Sequence, residues 1–528
     1  MKQAKLYAGL LALILFSACK KEISPVDATS SSIEAVAGRG NELNNGKTEI
    51  IFYALGEGNR LDKFSTYDAS EILNSATITG IAVGERIIAI DFRPATGQLY
   101  GLGSTNRIYV INPKTGVARP IGTAPFTPAL AGAAVGFDFN PTVDRIRVVT
   151  STGQNLRLNP ETGTVVSVDG PINGVAGAMV TSVAYTNNVA GAAMTILYDI
   201  DVTTDKLYKQ NPPNNGTLVE VGSLNLDLSG EGGFDIAPPS PNETASGAAL
   251  AIYQQSSKTA LLSIDLTTGK AKKIEKFNSE ITYYGIAIPT LPVAYAISGT
   301  NLLIFNPENS GTIVTKPITT GTAGSMVALT NLVGLDFRPV NGQLYSVRVV
   351  GTSGSIYTIN ASSGAATFIA NISIPVNGTS FGVDFNPVPD RIRVVSDANQ
   401  NLRINPANGV TTNDGALNPG DPEVSAAAYQ NNFAGTTTTT LYVLDNATDK
   451  LLIQSPPNAG TLVQVGSLGV DITASNGFDI GGMSMKAYGA FTVGGATNIY
   501  TVNLTTGGAS AGRSLPGTVS GFTIGLGF

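Results

Sequence analysis

The chain has no histidine, no tryptophan and a single cysteine among 528 residues. The lack of histidine rules out a Ser-His-Asp triad, imidazole acid–base chemistry and histidine metal ligands. The lack of tryptophan removes one sugar-stacking side chain, although Tyr53, Tyr100, Tyr295 and Tyr345 remain. A lone cysteine has no intramolecular disulfide partner. Charge is sparse at 13%, and the formal net charge is −6 with no basic block, so no nucleic-acid partner is expected. Glycine-rich stretches such as Gly230 to Gly233 lack the strand-to-helix setting of a phosphate-binding loop and read as turns. No cofactor is expected.

The N-terminus carries an address. Lys2 and Lys5 precede an apolar stretch, Leu6 to Phe16, that is too short to span a bilayer. Ser17-Ala18-Cys19 follows and resembles the cleavage box of a bacterial lipoprotein signal, in which the cysteine becomes the lipidated first residue. Residues 1–19 are thus expected to be signal peptide and lipidation site, and residues 20–47 a polar, flexible tether. Any membrane contact is expected through the lipid alone. Lys20 and Lys21 behind Cys19 resemble outer-membrane lipoproteins, which gives a cell-envelope location, periplasmic or surface-exposed.

The remainder is written twice. Asp91-Phe92-Arg93-Pro94 with Gly97-Gln98-Leu99-Tyr100 returns as Asp336-Phe337-Arg338-Pro339 with Gly342-Gln343-Leu344-Tyr345. Asp138-Phe139-Asn140-Pro141 returns as Asp384-Phe385-Asn386-Pro387, and Asn211-Pro212-Pro213 as Ser455-Pro456-Pro457. The first copy is placed at 48–290 and the second at 291–528. A shorter rhythm runs inside each: Asn112-Pro113-Lys114-Thr115-Gly116 is echoed at Asn159, Asp265, Asn360, Asn405 and Asn503, each closing on glycine after an alternating strand. Asn or Asp opens a turn and glycine accepts a positive φ.

That period matches the four-stranded blade of a β-propeller, so the expected fold is all-β. Gly136-Phe137-Asp138, Gly233-Phe234-Asp235 and Gly477-Phe478-Asp479 read as inner strands, with phenylalanines wedged between blades. Closure allows two arrangements. Gly525 to Phe528 reads as an inner strand without its blade, and Ile50 to Leu55 as a blade without its inner strand. Joining these closes one ten-bladed ring, which the hairpin-like gap between Ile288 and Val293 favours. Separate closure of each copy gives two tandem five-bladed propellers.

At the motifs spanning Asp91 to Tyr100, Gly136 to Gly163, Asn211 to Val221 and their second-copy partners, the chain resembles a bacterial family known as domain of unknown function 4394. The resemblance implies secreted or surface-attached propellers. Its members often carry one copy, which implies two separate rings here. It supplies no catalytic residue or ligand.

The candidate site is an arginine cluster. Arg145 and Arg147 share one face of a strand, with Arg157 beside them on the next. Arg391, Arg393 and Arg403 repeat the pattern. Such clusters hold carboxylate or phosphate, or else tie blades together by pairing with Asp91, Asp138 and Asp144, and with Asp336, Asp384 and Asp390. The ion-pair reading is favoured. Asp199, Asp201 and Asp205 have the density of a calcium loop, but without the EF-hand glycine and terminal glutamate they read as a solvated loop, and no metal is expected.

The expected function is that of a non-catalytic binding or interaction scaffold for an unknown protein or glycan at the cell envelope. The alternatives are a glycan-active enzyme using paired axial carboxylates, and a structural surface-layer component.

Overall fold

The computed structural model describes residues 49–239, 247–255, 258–277, 281–322 and 324–528. The expected signal segment, Cys19 and the 20–47 tether lie outside the described residues. Among the described residues, the chain is all-β. It forms ten four-stranded sheets and one two-stranded hairpin, Thr319–Thr322 with Ser325–Ala328. No helix among them is long and apolar enough to cross a membrane.

Eight of the four-stranded sheets are antiparallel meanders of consecutive strands, such as Ile87–Phe92, Leu99–Gly103, Arg107–Ile111 and Ala118–Ile121. Burial grades across the sheet. Ile87–Phe92 is buried at every position, whereas an outer strand such as Val165–Val168 alternates half-buried and exposed. The first strands pack beside one another in the order Ile87–Phe92, Val135–Asn140, Val180–Tyr185, Ser229–Ile236 and Tyr283–Ala287, and the last returns to the first. Leu332–Arg338, Phe381–Asn386, Val424–Tyr429, Ala474–Ile480 and Gly521–Ile524 repeat this propeller-like order. Glycines permit the close approach. A Cβ on Gly136 would fall 2.7 Å from the Val183 backbone nitrogen. Aromatic pairs fill the gaps between sheets, as where Phe139 meets Tyr100 edge-on at 5.1 Å and Phe385 meets Tyr345 likewise.

The pairing of the chain ends corrects one expectation. Ile51–Gly56 pairs antiparallel with Tyr283–Ala287, not with the C-terminus. Ala294–Ser298 pairs with Gly521–Ile524, so Gly525 to Phe528 is not an inner strand and the gap after Ile288 is not a hairpin. Each copy therefore supplies the missing strand to itself. The C-terminal residues instead lie on the other copy. Gly527 donates its N–H to the Thr96 carbonyl at 2.8 Å, and Leu526 is buried beside Ala95 and Val293. Tyr295 donates its hydroxyl to the Ala95 carbonyl at 2.9 Å across the same junction.

The recurrent Asn/Asp…Gly turn serves two purposes. Asn112 Oδ1 accepts the Lys114 and Thr115 N–H groups, both at 3.0 Å, which fixes the turn. The closing glycine then docks on the preceding sheet: Gly163 has φ 68°, and a Cβ there would fall 2.6 Å from the Ile121 carbonyl oxygen. Gly163→Ala is therefore expected to lose about 2 kcal/mol of stability, from the positive φ and the overlap together. Urea unfolding tests this, and an unchanged midpoint would contradict it.

Candidate functional site

Three buried aspartates meet where the first strands converge in each copy. Asp91, Asp138 and Asp235 bring carboxylate oxygens within 4.8 Å of one another, as do Asp336, Asp384 and Asp479. Each occupies the same register of its strand, and each reaches across to the next strand. Asp91 Oδ2 accepts the Phe139 N–H at 2.8 Å, Asp138 Oδ1 the Tyr185 N–H at 3.1 Å, and Asp235 Oδ2 the Ile288 N–H at 2.5 Å. In the second copy the donors are Phe385, Tyr429 and Ile524. Asp91 and Asp235 also accept the N–H of the following residue. The second triad has one further partner: the Thr523 hydroxyl lies 3.0 Å from Asp336 and 2.8 Å from Asp479. Pairing with the Asp235 and Asp479 strands places Ala287 at the equivalent position in the first copy.

Burial, followed by the charge of neighbouring carboxylates, pushes Asp91 and Asp138 well above the usual carboxylate range; burial takes Asp235 to about 7. Asp336 and Asp384 rise for the same reasons, and burial takes Asp479 to about 6. A raised folded-state value means that the folded chain keeps protons the unfolded chain has released. Stability is then full below about pH 4 and falls as pH rises through the folded values. As far as the triads govern it, the unfolding midpoint should be higher at pH 5 than at pH 8. Asp138→Asn, which keeps the acceptor for Tyr185, should flatten that dependence. A variant with the parent's slope would refute the assignment.

The arginine cluster pairs differently from the expectation. Arg147 is 1% exposed and donates to Asp169 at 2.6 Å, Asn155 at 2.7 Å, Asn214 at 2.8 Å and the Tyr185 hydroxyl at 3.3 Å. Arg157 holds both oxygens of Asp169, at 2.7 and 2.9 Å. Arg393, Arg403, Asp414, Asn401, Asn458 and Tyr429 repeat the arrangement. Arg145 and Arg391 turn back to the carbonyls of Asp144 and Asp390. Burial acts to raise Asp169, but hydrogen bonds from Arg157, Ser167 and Arg147 outweigh it and hold the carboxyl below its usual range.

Asp91, Asp138, Asp336 and Asp384 form no salt bridge with these arginines among the described residues, which corrects the expected pairing. They sit on the first strands and face backbone amides, whereas the guanidiniums point toward the outer strands. Asp144 instead pairs with Arg93, and Asp390 with Arg338. Asp199 and Asp201 are buried on strand Leu197–Asp201, so the solvated-loop expectation fails for both. Sequence reasoning missed Asp235 and Asp479 as members of the triads, although the repeated Gly-Phe-Asp marked their register. It also missed Asp169 and Asp414, although Asp169-Gly170 with Asn173 returns as Asp414-Gly415 with Asn418.

The sequence profile of the family described as Domain of unknown function (DUF4394) matches residues 60–287 and again 301–523. The chain belongs to this family. No curated protein matches it in sequence. Among solved structures it is similar to PorZ, described as a bacterial surface component of the type-IX secretion system of Porphyromonas gingivalis, at 12% identity and TM-score 0.26, covering 86% of this chain and 63% of that one. The extracellular domain of BT4673 from B. thetaiotaomicron matches at 12% identity and TM-score 0.24, over 88% of this chain and 66% of that one. A structure described as the Dos1 propeller matches at 10% identity and TM-score 0.24, over 87% and 88%. The chain thus spans under two thirds of PorZ and of the BT4673 domain.

Proposed function

We propose that this DUF4394 protein is a lipid-anchored cell-envelope scaffold of two five-bladed β-propellers, at 48–290 and 291–528, that binds a partner without catalysing a reaction. The cyclic packing of five first strands in each copy, each ring latched by its own N-terminal strand, supports the two-ring architecture. Such latching removes exposed sheet edges without joining the copies. The Lys2-to-Cys19 segment supports the anchor, and its glycerolipid would hold the rings at a membrane surface.

One observation carries the non-catalytic reading: all six axial carboxylates are engaged by backbone N–H groups of the neighbouring strand. The cavities among the first strands measure about 10 Å³ each, room for about one water. A glycosidase needs two carboxylates reaching opposite sides of a sugar, roughly 5–9 Å apart, with the ring between them. Carboxylates packed this closely and fastened to the backbone latch strands together and leave no such space.

Two measurements test the proposal. Cys19→Ser should move the protein from the membrane fraction to the soluble one; retention on the membrane would remove the anchor. The purified chain should leave glycans, lactones and phosphoesters unchanged. Turnover lost in Asp91→Asn would overturn the non-catalytic reading.

A further inference from the structure

Where the two copies meet, a pocket of about 380 Å³ opens between the outer strands of the sheet that begins with Ile87–Phe92 and loops of copy two. Val110, Asn112 and Arg119 contribute from one side, and Val340, Phe433 and Leu526 from the other. Val110 and Arg119 are cross-strand partners, and Asn112 lies two residues beyond Val110, so all three side chains project from one face. The opposite wall is apolar. Neither copy alone forms this pocket.

Arg119 is the sole ionisable residue in its lining, and its guanidinium forms no salt bridge or hydrogen bond among the described residues. The other arginines of this copy discussed above are tied to carboxylates or carbonyls. The Arg119 guanidinium instead lies against Gly435 of the second copy, where an added Cβ would overlap it. Asn112 offers a second donor. Its Oδ1 fixes the turn, while its Nδ2 has only the Met483 sulfur at 3.7 Å, a weak acceptor. An unpaired guanidinium and a poorly used amide N–H, backed by an apolar wall, are complementary to a carboxylate on an apolar body.

We infer that the junction pocket binds a small organic carboxylate, its charged end on Arg119 and Asn112 and its hydrocarbon between Val340, Phe433 and Leu526. At about 380 Å³ the pocket falls within the roughly 300–1,000 Å³ of small-molecule sites, ample for a ligand of about a dozen non-hydrogen atoms. The inference rests on the scaffold reading only in treating the ligand as bound and not consumed.

Calorimetric titration of the full chain with decanoate, below its micelle concentration, tests it, with decanol as the uncharged control. Decanoate should bind about tenfold more tightly than decanol. Arg119→Gln should abolish that preference, and Val340→Trp, which fills the pocket, should abolish binding altogether. Arg119 and Val340 are both exposed, so neither variant threatens the core. Equal binding of acid and alcohol, an unchanged preference in Arg119→Gln, or no binding at all would overturn the inference. Failure to bind would leave the scaffold reading intact. Binding followed by consumption of the decanoate would uphold the pocket and defeat the scaffold reading.

Discussion

Replacing Arg93 with methionine is expected to cost about 3–5 kcal/mol, while the same change at Arg338 costs about 1 kcal/mol or less. The two residues hold the same place in the duplicated Asp-Phe-Arg-Pro motif. Both grip the aspartate that follows the next first strand, Arg93 through Asp144 and Arg338 through Asp390. Their surroundings differ. Arg93 is 0% exposed because the second copy covers it, and it also donates to the Gly342 carbonyl at 3.0 Å and to Glu161 at 3.2 Å. Arg338 is 19% exposed and its aspartate 29%. Removing Arg93 leaves Asp144 and Glu161 repelling one another with little access to water, their main countercharge gone and only the weaker influence of Arg145 on Glu161 left. Removing Arg338 leaves a carboxylate that water can solvate. Urea unfolding of the two variants makes the comparison, and equal losses would show that the junction does not cover Arg93 as described.

Asp199→Val is expected to stabilise the protein by about 1–3 kcal/mol at neutral pH. Asp199 is 0% exposed, and neither carboxylate oxygen has a hydrogen-bond partner among the described residues. Val443 occupies its place in the second copy, opposite Ala427 and Leu452 where Asp199 stands opposite Val183 and Tyr208. The duplicate thus shows that the site accepts valine. Burial pushes the Asp199 carboxyl well above its usual range, with Arg147 opposing. The folded chain therefore holds a proton that the unfolded chain releases above about pH 4, and the penalty grows as pH rises. The gain from valine should shrink as pH falls toward 4. A variant less stable than the parent at pH 8 would show that Asp199 has a partner worth more than its burial costs.

Much of this was legible in the chain. The Asn/Asp…Gly echoes located the turns because their chemistry is local: a side-chain oxygen two or three residues from the amides it fixes, then a glycine free to take positive φ. The Gly-Phe-Asp repeats located first strands for the same reason. Pairing across sheets was harder to read. Arg147 was singled out without its partner Asp169, although Asp169-Gly170 with Asn173 returns as Asp414-Gly415 with Asn418, and Asn214 comes from the turn after the Pro-Pro pair of another sheet. That contact explains why the Arg and Pro-Pro motifs recur together in both copies. Spacing along one strand says which face a guanidinium takes, not which loop arrives to meet it.

The sequence by itself determined that the described residues are all-β in class and duplicated, and that the chain lacks imidazole chemistry and an intramolecular disulfide, since composition and period act through neighbouring residues. Tertiary structure alone decided which strand completes the end sheet of each copy, that the central aspartates bind backbone amides, and that Arg93 is buried where Arg338 is not. Identical motifs acquire different environments once one copy packs on the other, and burial, which sets the strength of every charge, is a property of the assembled surfaces.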